Sequence, residues 1–177
     1  MIRRVFPRLR VFRRSEEGSV TVEFCLLISG FMFLILAGIE LALVSVQQAM
    51  LERAVDLTVR EIRLGTGTNP QHDDIKDAIC LRANFIKECG DNLQLEMIRQ
   101  DAFAGVALPV TPDCTDNSEE VKPVREFRNG LENELMILRA CARIDPVFPS
   151  SVIGQALIDD TGQYALTSTT AFVQEPS

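Results

Sequence analysis

The sequence predicts an α+β protein: one long N-terminal transmembrane helix that extends into a small extracytoplasmic domain with a short helix and an antiparallel sheet. Three observations predict it. Charge is segregated along the 177 residues: residues 1–18 carry six Arg against two Glu, residues 19–46 carry only Glu23 and Glu40, and residues 47–177 carry 12 Lys and Arg against 21 Asp and Glu. An apolar bar separates the basic head from the acidic body. Beyond it come short alternating segments of strand type. This division argues against a free cytosolic domain, a basic nucleic-acid binder and a disordered tail.

The bar, residues 24–46, reads FCLLISGFMFLILAGIELALVSV, and Glu40 is its only acidic or basic side chain. Twenty-three helical residues reach about 34 Å, enough for a hydrocarbon core of about 30 Å. A core helix rarely keeps this length, and a chain of this size could hardly surround one. The bar therefore reads as a span in the lipid bilayer. Arg3, Arg4, Arg8, Arg10, Arg13 and Arg14 precede it, so the positive-inside rule keeps that end cytoplasmic and exports residues 47–177. The expected arrangement is a single pass with the C-terminal body extracytoplasmic.

Cysteine usage agrees with export. Cys25 falls in the span, whereas Cys80, Cys89, Cys114 and Cys141 fall in the body, an even number in a disulfide-permissive compartment. Four cysteines allow three connectivities, and packed free thiols are the alternative. Were residues 75–88 one helix, Cys80 and Cys89 would stand half a turn out of phase and about 13 Å apart along the axis, too far to bridge. A break near Glu88 to Asp91 would bring that pair together.

An ordinary secretory signal would show a shorter apolar region and a small-residue cut after it, and neither is present. The string Arg3-Arg4-Val5-Phe6 resembles a twin-arginine signal only faintly, since the span starts 18 residues beyond Phe6. The junction Glu16-Glu17-Gly18-Ser19-Val20-Thr21-Val22-Glu23-Phe24 is more informative. A glycine precedes a small residue, and a carboxylate follows five residues after that glycine. This resembles the cleavage site of type IV prepilins and pseudopilins, which implies a prepilin peptidase cut between Gly18 and Ser19. Glu23 then holds the family's carboxylate at mature position five. A carboxylate entering the bilayer is costly unless paired or solvated; the resemblance implies that its partner is the new amine, at Ser19, of a neighbouring subunit. Solvation at the headgroup boundary is the alternative.

Beyond the junction the resemblance narrows to the TadE/TadF group of the Tad (tight adherence, Flp-type) pilus machinery. It rests on the basic head, the junction Gly18 to Phe24, the step Gly38-Ile39-Glu40, and the helix end Val59-Arg60-Glu61-Ile62-Arg63-Leu64-Gly65-Thr66-Gly67. It covers residues 13–67. The remainder resembles the family mainly in style, with paired cysteines and a run, Ala171-Phe172-Val173-Gln174-Glu175-Pro176, that looks like the family's closing strand. Val59 departs from the small residue usual at its position.

From Ser19 the helical pattern runs to about Arg63, where Gly65-Thr66-Gly67 and Asn69-Pro70 supply the stop. Leu51, Val55, Thr58 and Ile62, with Ala54 beside them, form one side of its protruding half. That stripe suits docking either on the protein's own globular part or on another subunit. Within the span, Gly38, Ala42, Ser45 and Ala49 make a row of small residues that would let a second helix approach. Glu40 lies 17 residues past Glu23, about 25 Å along the axis, near the outer membrane boundary. It is expected to reach interfacial water or a partner's cation, so both carboxylates favour lateral assembly.

In the body, residues 73–88 are predicted helical, residues 108–120 are turn-rich, and residues 93–99, 136–144 and 164–173 are strand candidates, the first turning Leu93, Leu95 and Met97 to one face. Chemistry is sparse. The only histidine, His72, stands in Gln71-His72-Asp73-Asp74, where a loop side chain beside a helix-capping Asp is a simpler reading than a ligand. No Walker, G-x-S-x-G or H-E-x-x-H motif occurs. Neither zinc spacing nor a Ser/His/Asp arrangement is visible. The acidic pairs Glu119-Glu120 and Asp159-Asp160 read as solvated loops rather than a calcium site. No enzyme, cofactor, metal, nucleic acid or small-molecule substrate is expected.

The expected organisation is a cytoplasmic leader (1–18), a transmembrane and protruding helix (19–64) and an extracytoplasmic α+β domain (65–177). The expected role is a minor pseudopilin-like component that assembles with related minor pseudopilins and the inner-membrane platform of the Tad system. Two rivals stand beside it. One is an uncut, signal-anchored periplasmic binding domain, indifferent to Gly18 and Glu23. The other is a type II secretion pseudopilin, a group that usually has Phe at mature position one, where this chain has Ser19.

Overall fold

No proline interrupts residues 19–64, and they form a single helix, α1 (Ser19–Leu64), in a computed structural model that describes residues 19–64, 70–101, 114 and 127–175. At 46 residues it is about 69 Å long. Gly18 and the rest of the leader, the 65–69 stop, and the turn-rich segment apart from Cys114 lie outside the described residues, as do Glu119 and Glu120.

The remaining elements are α2 (His72–Arg82), α3 (Cys89–Asn92), β1 (Leu93–Gln100), β2 (Leu135–Ile144), α4 (Val152–Leu157) and β3 (Tyr164–Val173). The strands form one antiparallel sheet in the order β1-β2-β3. Leu93, Leu95 and Met97 pair with Ala142, Ala140 and Leu138, which pair in turn with Leu166, Ser168 and Thr170. Period-two alternation therefore puts these residues on one face. That face forms the core with Ile75 and Ile79 of α2 and the upper half of α1.

The stripe on α1 finds its partner here. Leu51, Ala54, Val55, Thr58, Val59 and Ile62 are all buried against the chain's own sheet, so own-domain docking is the one of the two expected modes that the fold adopts. Thr58 fits this apolar seam because its hydroxyl donates to the Ala54 carbonyl one turn back (2.9 Å). The other face of β2 is covered as well: Ile137 and Cys141 are buried, and Arg139 pairs across strands with Glu96 at 3.6 Å.

The helix expected over residues 73–88 ends early, at Arg82. The chain leaves the helix at Ala83, turns through residues 84–88 and restarts at Cys89 after Glu88 adopts a left-handed conformation (φ 46°). No Gly or Pro marks the break, and tertiary partners enforce it. Arg82 Nη1 donates back to the Ala78 carbonyl (2.8 Å), its Nη2 pairs with Glu61 of α1, Ala83 and Ile86 are buried, and Asn92 Nδ2 donates to the Lys87 carbonyl (2.7 Å). This reversal brings Cys80 and Cys89 to a Cα separation of 5.7 Å, where they form a disulfide. Cys114 and Cys141 form the second (Cα separation 5.3 Å).

The bridges close loops of different length, with sequence separations of 9 and 27. On the loop-entropy model the short one contributes about 2.5 kcal/mol and the long one about 3.5 kcal/mol. Cys114→Ser is therefore expected to lower the urea midpoint of the oxidised protein in detergent micelles more than Cys80→Ser does. The reverse order would mean that the bridges do not act through the unfolded chain.

Candidate anchoring and assembly surface

Below its seam with the sheet, α1 is apolar and uncovered. Val20, Val22, Leu26, Phe31, Met32, Phe33 and Leu41 are exposed and, at 100° per residue, point to all sides of the helix. Only 6% of the most apolar stretch is buried, unlike a core helix, and α1 is long and apolar enough to cross a membrane. Its first described residue is Ser19. Glu23, one turn further on, is exposed and makes no hydrogen bond or ion pair among the described residues. Gly38, Ala42, Ser45 and Ala49 are exposed too, and a Cβ at Gly38 would meet open space.

Glu40 differs from expectation. It is not turned to water or to a neighbouring subunit: the residue is 1% exposed, and both carboxylate oxygens are engaged by its own chain. Oε1 accepts the Val147 N–H (3.0 Å) and Oε2 the Phe148 N–H (2.8 Å). The reason is helical phase. Positions 40, 44, 47 and 51 share a face at 3.6 residues per turn, so Glu40 continues downward the stripe that begins at Leu51. Successive N–H groups of the loop between β2 and α4 cap it there. Ser151 N–H closes that loop onto the Phe148 carbonyl (2.9 Å), and Ser151 Oγ caps α4 by accepting Gly154 N–H (2.8 Å). Glu40 thereby leaves the expected set of lateral-assembly residues.

Sequence reasoning missed the polar seam above Glu40, although the same phase would have found it. Gln48 Nε2 donates to the Thr167 carbonyl (2.9 Å), and the Tyr164 hydroxyl donates to Gln47 Oε1. Burial, then the nearby Glu40 and Asp145 carboxylates, push the Tyr164 phenol up from 10.0 to about 12. The folded state prefers the protonated phenol. Its contribution to stability is complete below pH 10 and is lost as pH climbs through about 12. Tyr164 is the only tyrosine, so phenolate absorbance reads it alone. The folded chain is expected to titrate above the denatured chain, and equal midpoints would refute the buried seam.

His72, expected in a loop, is the first residue of α2, and Asp159-Asp160 stands exposed in the loop between α4 and β3. His72 Nδ1 lies 2.8 Å from Asp73 Oδ1, with its ring edge-on to Phe127 (centroids 5.2 Å). The Thr161 hydroxyl and N–H bond the Asp159 carboxylate and, with Arg143 at 2.8 Å, hold its carboxyl below the usual range. Among the described residues, no three His, Cys, Asp or Glu side chains gather as a metal set.

No family model, curated protein or solved structure matches the chain.

Proposed function

We propose that the protein is a non-enzymatic, single-span, pseudopilin-like component of a Tad pilus assembly system, similar to TadE or TadF. A prepilin peptidase removes residues 1–18. The mature helix crosses the inner membrane with its C-terminal domain in the periplasm, and it associates there with related minor pseudopilins and the inner-membrane platform. One observation supports the reading: an apolar helix uncovered on every side bears a carboxylate, Glu23, that has no partner among the described residues and stands one turn beyond Ser19. An ion at that depth is a demand for a partner, and an amine freed at Ser19 of an adjacent copy or relative meets it. The row at Gly38, Ala42, Ser45 and Ala49 faces away from the chain's own domain and offers close helix approach. With Glu40 satisfied internally, assembly rests on Glu23 and this row.

Processing is tested by intact-mass and N-terminal peptide analysis of the protein from native membranes beside Gly18→Ala. A mature start at Ser19 that Gly18→Ala abolishes is the expected result. A chain that keeps residues 1–18, or one cut after Val46, would overturn the proposal and leave an anchored or secreted binding domain.

A further inference from the structure

We infer that residues 146–158, the loop after β2 together with α4, form a lipid-contacting foot on which the C-terminal domain rests at the outer membrane boundary. The inference depends on α1 spanning the bilayer. It starts from Glu40, which fixes the loop to α1 through the N–H groups of Val147 and Phe148. If the hydrocarbon core begins at Glu23, its thickness of about 30 Å is used up near Leu43. Glu40 then lies about one turn inside that limit, and the loop bonded to it is held at the same height.

The chemistry of the segment suits this depth. Its 13 residues, PVFPSSVIGQALI, contain no charged side chain, whereas Asp145 precedes it and Asp159 and Asp160 follow it. Val147, Val152 and Leu157 are 50%, 54% and 41% exposed. Leu81 and Leu131 are more exposed, but each stands beside a charged residue, Arg82 and Glu132, as isolated surface apolar residues do. The foot also turns part of its backbone inward: Ser151 N–H bonds the Phe148 carbonyl, Gln155 N–H the Ser151 carbonyl and Gly154 N–H the Ser151 hydroxyl. Gly154 allows this compactness, since a Cβ there would come within 2.4 Å of the Phe148 carbonyl oxygen. Backbone groups satisfied internally are what a lipid boundary requires. Conversely, the two N–H groups that the loop offers explain how a carboxylate is tolerated at this height on α1.

The chain contains no tryptophan, so single-tryptophan variants report one site each. Val152→Trp and Leu157→Trp replace exposed side chains. They are compared with Leu34→Trp in the apolar helix and Leu81→Trp on the domain, each full-length chain being reconstituted in phosphatidylcholine vesicles with plain or acyl-brominated lipid. Val152→Trp and Leu157→Trp are expected to be quenched by bromine roughly twofold or more beyond Leu81→Trp, with blue-shifted emission. Quenching no greater than that of Leu81→Trp, while Leu34→Trp is strongly quenched, would overturn the foot and leave the span standing. A blue shift without bromine quenching would overturn it too, because protein rather than lipid would then cover the segment. An unquenched Leu34→Trp would remove the spanning reading and the foot with it.

Discussion

Glu40→Ala is expected to destabilise the C-terminal domain's attachment to α1 by about 3 kcal/mol, because it orphans two backbone donors that are each worth about 1–3 kcal/mol when left unpaired. The Val147 and Phe148 N–H groups both donate to this one carboxylate, while the Phe148 carbonyl accepts from Ser151 N–H. Glu40→Gln keeps one acceptor and the shape of the side chain, so about half the loss is expected. Denaturant unfolding of the full chain in dilute detergent solution measures both. A second readout separates loss of this carboxylate from general loosening. Glu40 is one of the causes that raise the Tyr164 phenol, so in the still-folded Glu40→Gln variant the phenolate midpoint is expected to fall. Were Glu40 held by a neighbouring subunit instead, its replacement would leave the dilute monomer unchanged on both measures.

Why Glu40 was misassigned from sequence shows what the pattern carried and what it did not. Long, uninterrupted periodicity was legible: α1 ends within one residue of the expected Arg63, β3 coincides with residues 164–173, and β2 and β1 each extend one residue beyond their expected bounds. Burial of Leu93, Leu95 and Met97 on one face also followed from alternation. Features imposed by distant contacts were not legible. Nothing local in residues 83–88 stops a helix; the stop comes from Arg82 reaching Glu61 and from Ala83 and Ile86 entering the core. α4 has only six residues, one of them a glycine, too few for a periodic signal. Glu40 lies within the expected span, but its phase belongs to the buried stripe above. A polar residue inside an apolar run thus has two candidate environments, and the face shared with the next buried positions decides between them.

Glu23→Ala is expected to do the opposite: leave the fold intact and abolish association. Glu23 is exposed and makes no hydrogen bond or ion pair among the described residues, so the unfolding free energy should stay within about 0.5 kcal/mol of the parent, as for other exposed sites. Recovery of partner subunits with the tagged protein from detergent-extracted membranes should fall by about 100-fold, the equivalent of about 3 kcal/mol for breaking a desolvated ion pair. Gly18→Ala offers an independent route to the same interaction, since an uncut chain never exposes an amine at Ser19. If that amine is what Glu23 meets, each single change removes the whole pair, and Gly18→Ala/Glu23→Ala should associate no worse than either variant alone. Additive losses would mean that the cut and the carboxylate act separately. Full association of Glu23→Ala would mean that the carboxylate is merely solvated at the headgroups, and the case for lateral assembly would reduce to the small-residue row on α1.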